Sequence, residues 1–99
     1  MKQKNKLPEK IYSPGTMLLI NIFGWYGVVA YQLAYILISF HVLDADDIAY
    51  QFINLTGGLG LFTISVIKRA IQPAVSNLIW SIIATIALVN IIYTLLKVQ

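Results

Sequence analysis

Three stretches of this chain, residues 17–40, 48–67 and 74–96, contain no Asp, Glu, Lys or Arg. Each reaches or exceeds the roughly 20 residues that cross a hydrocarbon core of about 30 Å at 1.5 Å per residue. Lipid satisfies no backbone hydrogen bonds, and three short strands could not close a barrel, so the element they predict is the helix. The pattern predicts three transmembrane helices.

The polar positions inside these runs carry the rest of the information. The segment "YQFINLTGGLGLF", residues 50–62, holds Gln51, Asn54, Thr56 and three glycines in an otherwise apolar run. On a helical wheel Tyr50, Asn54, Gly57, Gly58, Leu61 and Ser65 fall in one stripe, with Gln51 at its edge. The third run has a matching stripe of Asn77, Ser81, Ala84, Thr85 and Leu88, flanked by Trp80. The first offers Gly24, Gly27, Tyr31 and Ala34, with Gln32, Tyr35 and Ser39 on an adjacent face. Between helices in lipid, close packing of small residues and interhelical hydrogen bonds replace the hydrophobic drive. Gly24, Gly27, Gly57, Gly58, Ser81 and Ala84 are therefore expected to mediate helix packing. Asn54 and Asn77 have two readings. They either bond one another or backbone carbonyls as glue worth about 1 kcal/mol, or line a polar cavity near mid-membrane. Asn90, roughly opposite Asn77 on its helix, would meet a second subunit or reach the headgroups.

Charge lies outside the runs. Residues 1–15 hold Lys2, Lys4, Lys6 and Lys10 against Glu9, and account for the net charge of +3. The first connector is acidic, with Asp44, Asp46 and Asp47, and the second carries Lys68 and Arg69. By the positive-inside rule the tail and second connector are cytoplasmic, and the first connector and C-terminus lie outside. A basic tail of this kind is a topology signal and a headgroup contact, not a mark of nucleic acid. The three Asp residues are expected to cap the second helix, where unpaired N–H groups favour carboxylates. Ser13 and Pro14 suit the cap and first residue of the first helix, and Pro73 opens the third. The first span is too long for a signal-peptide core and lacks a small-residue cleavage site, so it is expected to stay as an anchor.

Composition supports the same picture. Of 99 residues, 59% are hydrophobic and 11% charged, and the mean hydropathy is +0.77. A domain this small has too much surface to hide that much apolar area from water. The chain has no cysteine, which removes disulfides, thiolate metal sites and thiol chemistry. No nucleophile–base pair, phosphate loop or metal constellation occurs, so neither an enzyme nor a cofactor is expected. His41, the only histidine, falls at the outer end of the first helix and reads as incidental. The span centres lack the carboxylates and amines that carry proton relays and ion coupling.

The pattern "GWYGVVAYQLAYIL", "YQFINLTGGLGL" and "QPAVSNLIWSII", within residues 22–90, resembles a family of short bacterial three-span membrane proteins with no assigned activity. More distantly, the layout is similar to the SemiSWEET and PQ-loop proteins. That resemblance implies a triple-helix bundle ordered 1-3-2 in space, which dimerises around a route for small sugars, with Pro73 and Asn77 standing where that family has a proline and a pocket asparagine. One departure is plain: "QLAYILIS" stands where the family's hinge-forming Pro-Gln pair would be.

The sequence thus predicts an all-α integral membrane protein: a basic cytoplasmic tail over residues 1–15, then a three-helix domain over 16–97, placed in the cell inner membrane. Its surroundings are the lipid bilayer and a second copy of itself, since three helices are too few to surround a solute path. The leading function is binding or passive passage of a small neutral polar solute. Asn77 and Asn54 would make the hydrogen bonds, Trp80 and Tyr31 the apolar walls, and Gln51 would stand at the margin. The alternative is an accessory subunit that docks its polar face on a larger membrane protein.

Overall fold

A computed structural model describes residues 12–98; the basic tail falls mostly outside them. Their regular structure is three helices, α1 (Pro14–Ser39), α2 (Ile48–Ile67) and α3 (Ile71–Val98). Each is long and apolar enough to cross a membrane, and together they make the expected all-α bundle. The 20 residues of α2 give a rod of about 30 Å, the thickness of a hydrocarbon core. With 26 and 28 residues, α1 and α3 must tilt or project beyond it.

The helix ends follow from local chemistry. Ser13 Oγ accepts the Thr16 N–H at 3.2 Å, and Pro14 is the first helical residue. Helix α3 starts at Ile71, before the charge-free run, and so takes Pro73 into its first turn. The proline costs no bond there, because the first N–H groups of a helix have no intrahelical acceptor. Both α1 and α2 finish in a Schellman arrangement. His41 N–H bonds Ile38 O at 3.2 Å and Val42 N–H bonds Leu37 O at 2.9 Å; Arg69 and Ala70 repeat this on Val66 and Ser65 at 3.0 and 2.8 Å. His41 and Arg69 take positive φ, 63° and 58°, and the chain reverses sharply at each.

The expected capping by the aspartates needs correction. Asp47 occupies the N-cap of α2, but its side chain bonds no helix N–H. Its carboxylate accepts the Asp44 N–H at 2.7 Å, while Asp47 N–H returns to Asp44 O at 3.0 Å. The acidic connector is closed on itself.

The expected 1-3-2 order is also overturned. Helix α2 is central and packs along both α1 and α3, which meet each other only marginally. The glycines explain why. A Cβ on Gly27 would lie 2.5 Å from Gly57 O and 2.9 Å from Leu61 Cγ, and one on Gly60 would collide with the Phe23 carbonyl. On the other side of α2, a Cβ on Gly58 would lie 2.5 Å from Ser81 Oγ. Helix α2 thus has two close-packed faces, and a larger share of its apolar window is buried, 39% against 22% and 17% for α1 and α3. The buried positions are small or polar: Gly24, Gly27, Ala30 and Ala34 on α1, and Ala74, Asn77, Ser81 and Ala84 on α3. Large side chains such as Leu19, Val29, Ile82 and Ile86 point outward, as helices solvated by lipid require.

Candidate functional site

The midpoint of α2 falls between Gly57 and Gly58, so residues packed there lie near mid-membrane. Tyr31 reaches this level from α1 and Trp80 from α3, and their rings meet edge to face with centroids 6.4 Å apart at 63°. This is a contact between the two helices that otherwise scarcely touch. Beside it opens a cleft of about 280 Å³ lined by Tyr31, Gln32, Tyr35, Tyr50, Asn54 and Trp80. A second, of about 210 Å³, shares Tyr50, Asn54 and Trp80 and continues past Gln51 and Ala84 to Ala45 in the acidic connector. The two run from mid-membrane to the first connector.

The cleft walls are rich in hydroxyls, amides and aromatic faces, and hold no carboxylate or amine among the described residues. Asn54 is only 6% exposed, yet its amide makes no hydrogen bond to another described residue. Gln51 donates from Nε2 to Ala45 O at 2.8 Å and pins the connector onto α2. The hydroxyls of Tyr31 and Ser81 are buried without a hydrogen-bond partner among the described residues. Both converge on Gly58, whose Cβ would lie 2.9 Å from the tyrosine oxygen. A buried hydroxyl without a partner costs about 1–3 kcal/mol.

Of the residues singled out from sequence, Tyr31, Asn54, Trp80 and Gln51 are brought together. Asn77 is placed differently. It is buried, lines neither cleft, and donates from Nδ2 to Pro73 O at 2.8 Å within its own helix. Of the two bonding modes expected of the asparagines, Asn77 takes a backbone carbonyl and no Asn54–Asn77 bond forms; a side-chain bond between helices is made instead by Tyr26 and Thr56, 2.5 Å apart. Thr56 already donates to Phe52 O at 2.9 Å, so Tyr26 is the donor. Asn90 is exposed and lines a cleft of about 420 Å³ with Asp46 and Thr94, which places it at the level of the acidic connector. Tyr35, Tyr50 and Gln32 were not singled out as cleft residues. Their spacing along α1 and α2 was visible, but which faces would meet depended on helix order.

Residues 20–94 match a family model, and the family is uncharacterised. The chain belongs to that family. No curated protein and no solved structure matches it.

Proposed function

We propose that this family member is a small multi-pass protein of the cell inner membrane that binds a neutral polar solute in the Asn54 cleft and lets it pass without energy coupling. The observation that carries this reading is Asn54 itself: an amide near mid-membrane, sunk in a cleft wall, with no hydrogen bond to another described residue. Such a group in hydrocarbon needs a partner, and an uncharged solute bearing hydroxyl or amide groups supplies one. The cleft volumes lie below the roughly 300–1,000 Å³ of drug-sized pockets, which suits a small molecule.

Two copies would be needed to enclose a route, because α1 and α3 leave the cleft open on the side where they diverge. The orientation follows the charge pattern, with the N-terminus cytoplasmic and the cleft opening towards the outer side. The hinge implied by the SemiSWEET resemblance is not carried over, since it belongs to a bundle with helix 3 in the middle and its Pro-Gln pair does not occur here.

Reconstitution tests the proposal. Solute flux into proteoliposomes should follow the solute gradient and ignore an imposed pH gradient, as expected of spans without central charges. Flux driven by the pH gradient, or no flux for any neutral polyol, sugar or amide, would reject it. The accessory-subunit reading draws support from the exposed Asp46–Asn90–Thr94 cleft, a polar notch at the membrane boundary. Stoichiometric co-purification of one larger membrane protein, lost on substituting Asn90 by Leu, would favour that reading instead.

A further inference from the structure

The outward face of α3 carries a pattern that packing within one copy does not use. Gln72, Ser76, Ile79, Ile83, Ile86 and Asn90 follow one another in alternating steps of four and three residues. That is the spacing of the a and d positions of a heptad seam. All six are exposed, the three isoleucines by 51%, 54% and 57%. A groove of about 580 Å³ runs along the first half of this face, and α3 alone lines it. The amides of Gln72 and Asn90 bracket the isoleucines, one at the depth of each connector. Neither makes a hydrogen bond to another described residue.

We infer that a second copy of the chain docks on this face, α3 against α3, in a parallel left-handed crossing about a two-fold axis along the membrane normal. Copies inserted in one membrane share an orientation, so each seam residue meets its own counterpart at the same depth. Identical amides suit that arrangement, because each carries a donor and an acceptor and the pair bonds reciprocally. An asparagine at one a position is the device that fixes register and copy number in such seams. Charge is complementary where the seam leaves the membrane. Asp46 flanks Asn90, and Lys97, over the Tyr93 ring, lies one heptad and about 10 Å further out. Its long stem lets the amine of each copy swing towards the acidic connector of the other. The seam also bears on the solute site, and here it rests on the proposed solute reading. Trp80 and Ile83 line both this groove and the Asn54 cleft, so the second copy supplies a wall on the open side.

Cysteine cross-linking of the full chain in vesicles tests the seam, because the chain has no thiol of its own. Under mild oxidation Ile79→Cys, Ile83→Cys and Ile86→Cys should each give a disulfide-linked dimer. Ile82→Cys and Val89→Cys, comparably exposed but off the seam, should stay unlinked, since their Cβ atoms lie beyond disulfide reach. Asn90→Leu should keep its helical circular dichroism and raise the dimer dissociation constant roughly tenfold, the scale of an interhelical hydrogen bond. Asn90→Gln, which keeps the amide, should recover most of that loss. Cross-linking that peaks at Ile82→Cys or Val89→Cys would overturn the inference. So would an oligomeric mass other than two copies, or an Asn90→Leu variant that associates as tightly as the parent. The solute reading fails separately. A dimer linked through Ile83→Cys that passes no solute keeps the seam and rejects the route, whereas a monomer that passes solute rejects the seam and keeps the route.

Discussion

Tyr31 and Ser81 come from helices that scarcely meet, yet both bring a buried hydroxyl onto Gly58 of the helix between them. Glycine is required there because any Cβ would lie within 2.9 Å of both oxygens. Neither hydroxyl has a hydrogen-bond partner among the described residues, so each carries the cost of its own desolvation. Tyr31→Phe and Ser81→Ala should each raise resistance to unfolding in sodium dodecyl sulfate by about 1 kcal/mol in the absence of solute. Tyr31→Phe, which alters a cleft wall, should also weaken solute binding. A loss of stability in both variants would show that the hydroxyls are satisfied in the membrane.

Packing of α1 on α2 rests on backbone approach at Gly27 and Gly60. Gly27→Ala should destabilise the bundle by about 1–3 kcal/mol, the usual cost of overpacking, because its methyl would press on Gly57 O. Gly15→Ala is the matched control: no described residue lies within 4 Å of its Cβ position. That variant should be neutral or slightly stabilising, as alanine favours helix over glycine. Equal effects in the two variants would remove the close-approach account of helix order.

The two buried asparagines should separate in a flux assay. Asn54→Leu deletes an amide that contributes no bond to another described residue, so stability should hold or rise while flux is lost. Asn77→Leu deletes only the bond to Pro73 O, worth about 1 kcal/mol, and should leave flux near the parent value. The reverse outcome would move the solute path from the Asn54 cleft to the Asn77 face.

Much of this could be read from the chain. Charge-free runs gave three helices, Ser13–Pro14 gave the start of α1, and the small-residue stripes gave the packing faces of α1 and α3. Helix order could not be read, and its absence had consequences. A single stripe was assigned to α2, whereas a central helix needs two, so Gly60 and its contact with Phe23 were missed. The same gap left Tyr26–Thr56 unseen, because a tyrosine finds a threonine on another helix only once the pair of faces is known. Asn77 looked equivalent to Asn54 by composition, but a carbonyl one turn back, at Pro73, takes its donor. Asp47 looked like a helix cap, yet a two-way bond with Asp44 was the nearer solution.

The central claim is that Asn54 borders a polar cleft open to water from the acidic-connector side. The chain contains no cysteine, so a single introduced thiol reports its own surroundings without background. Asn54→Cys in oriented vesicles should react with a membrane-impermeant thiol reagent added on the side of the first connector, and a saturating neutral solute should slow the reaction. Val29→Cys, on an outward apolar face, should stay unlabelled. An Asn54→Cys thiol as inert as the one at position 29, with or without solute, would contradict the account.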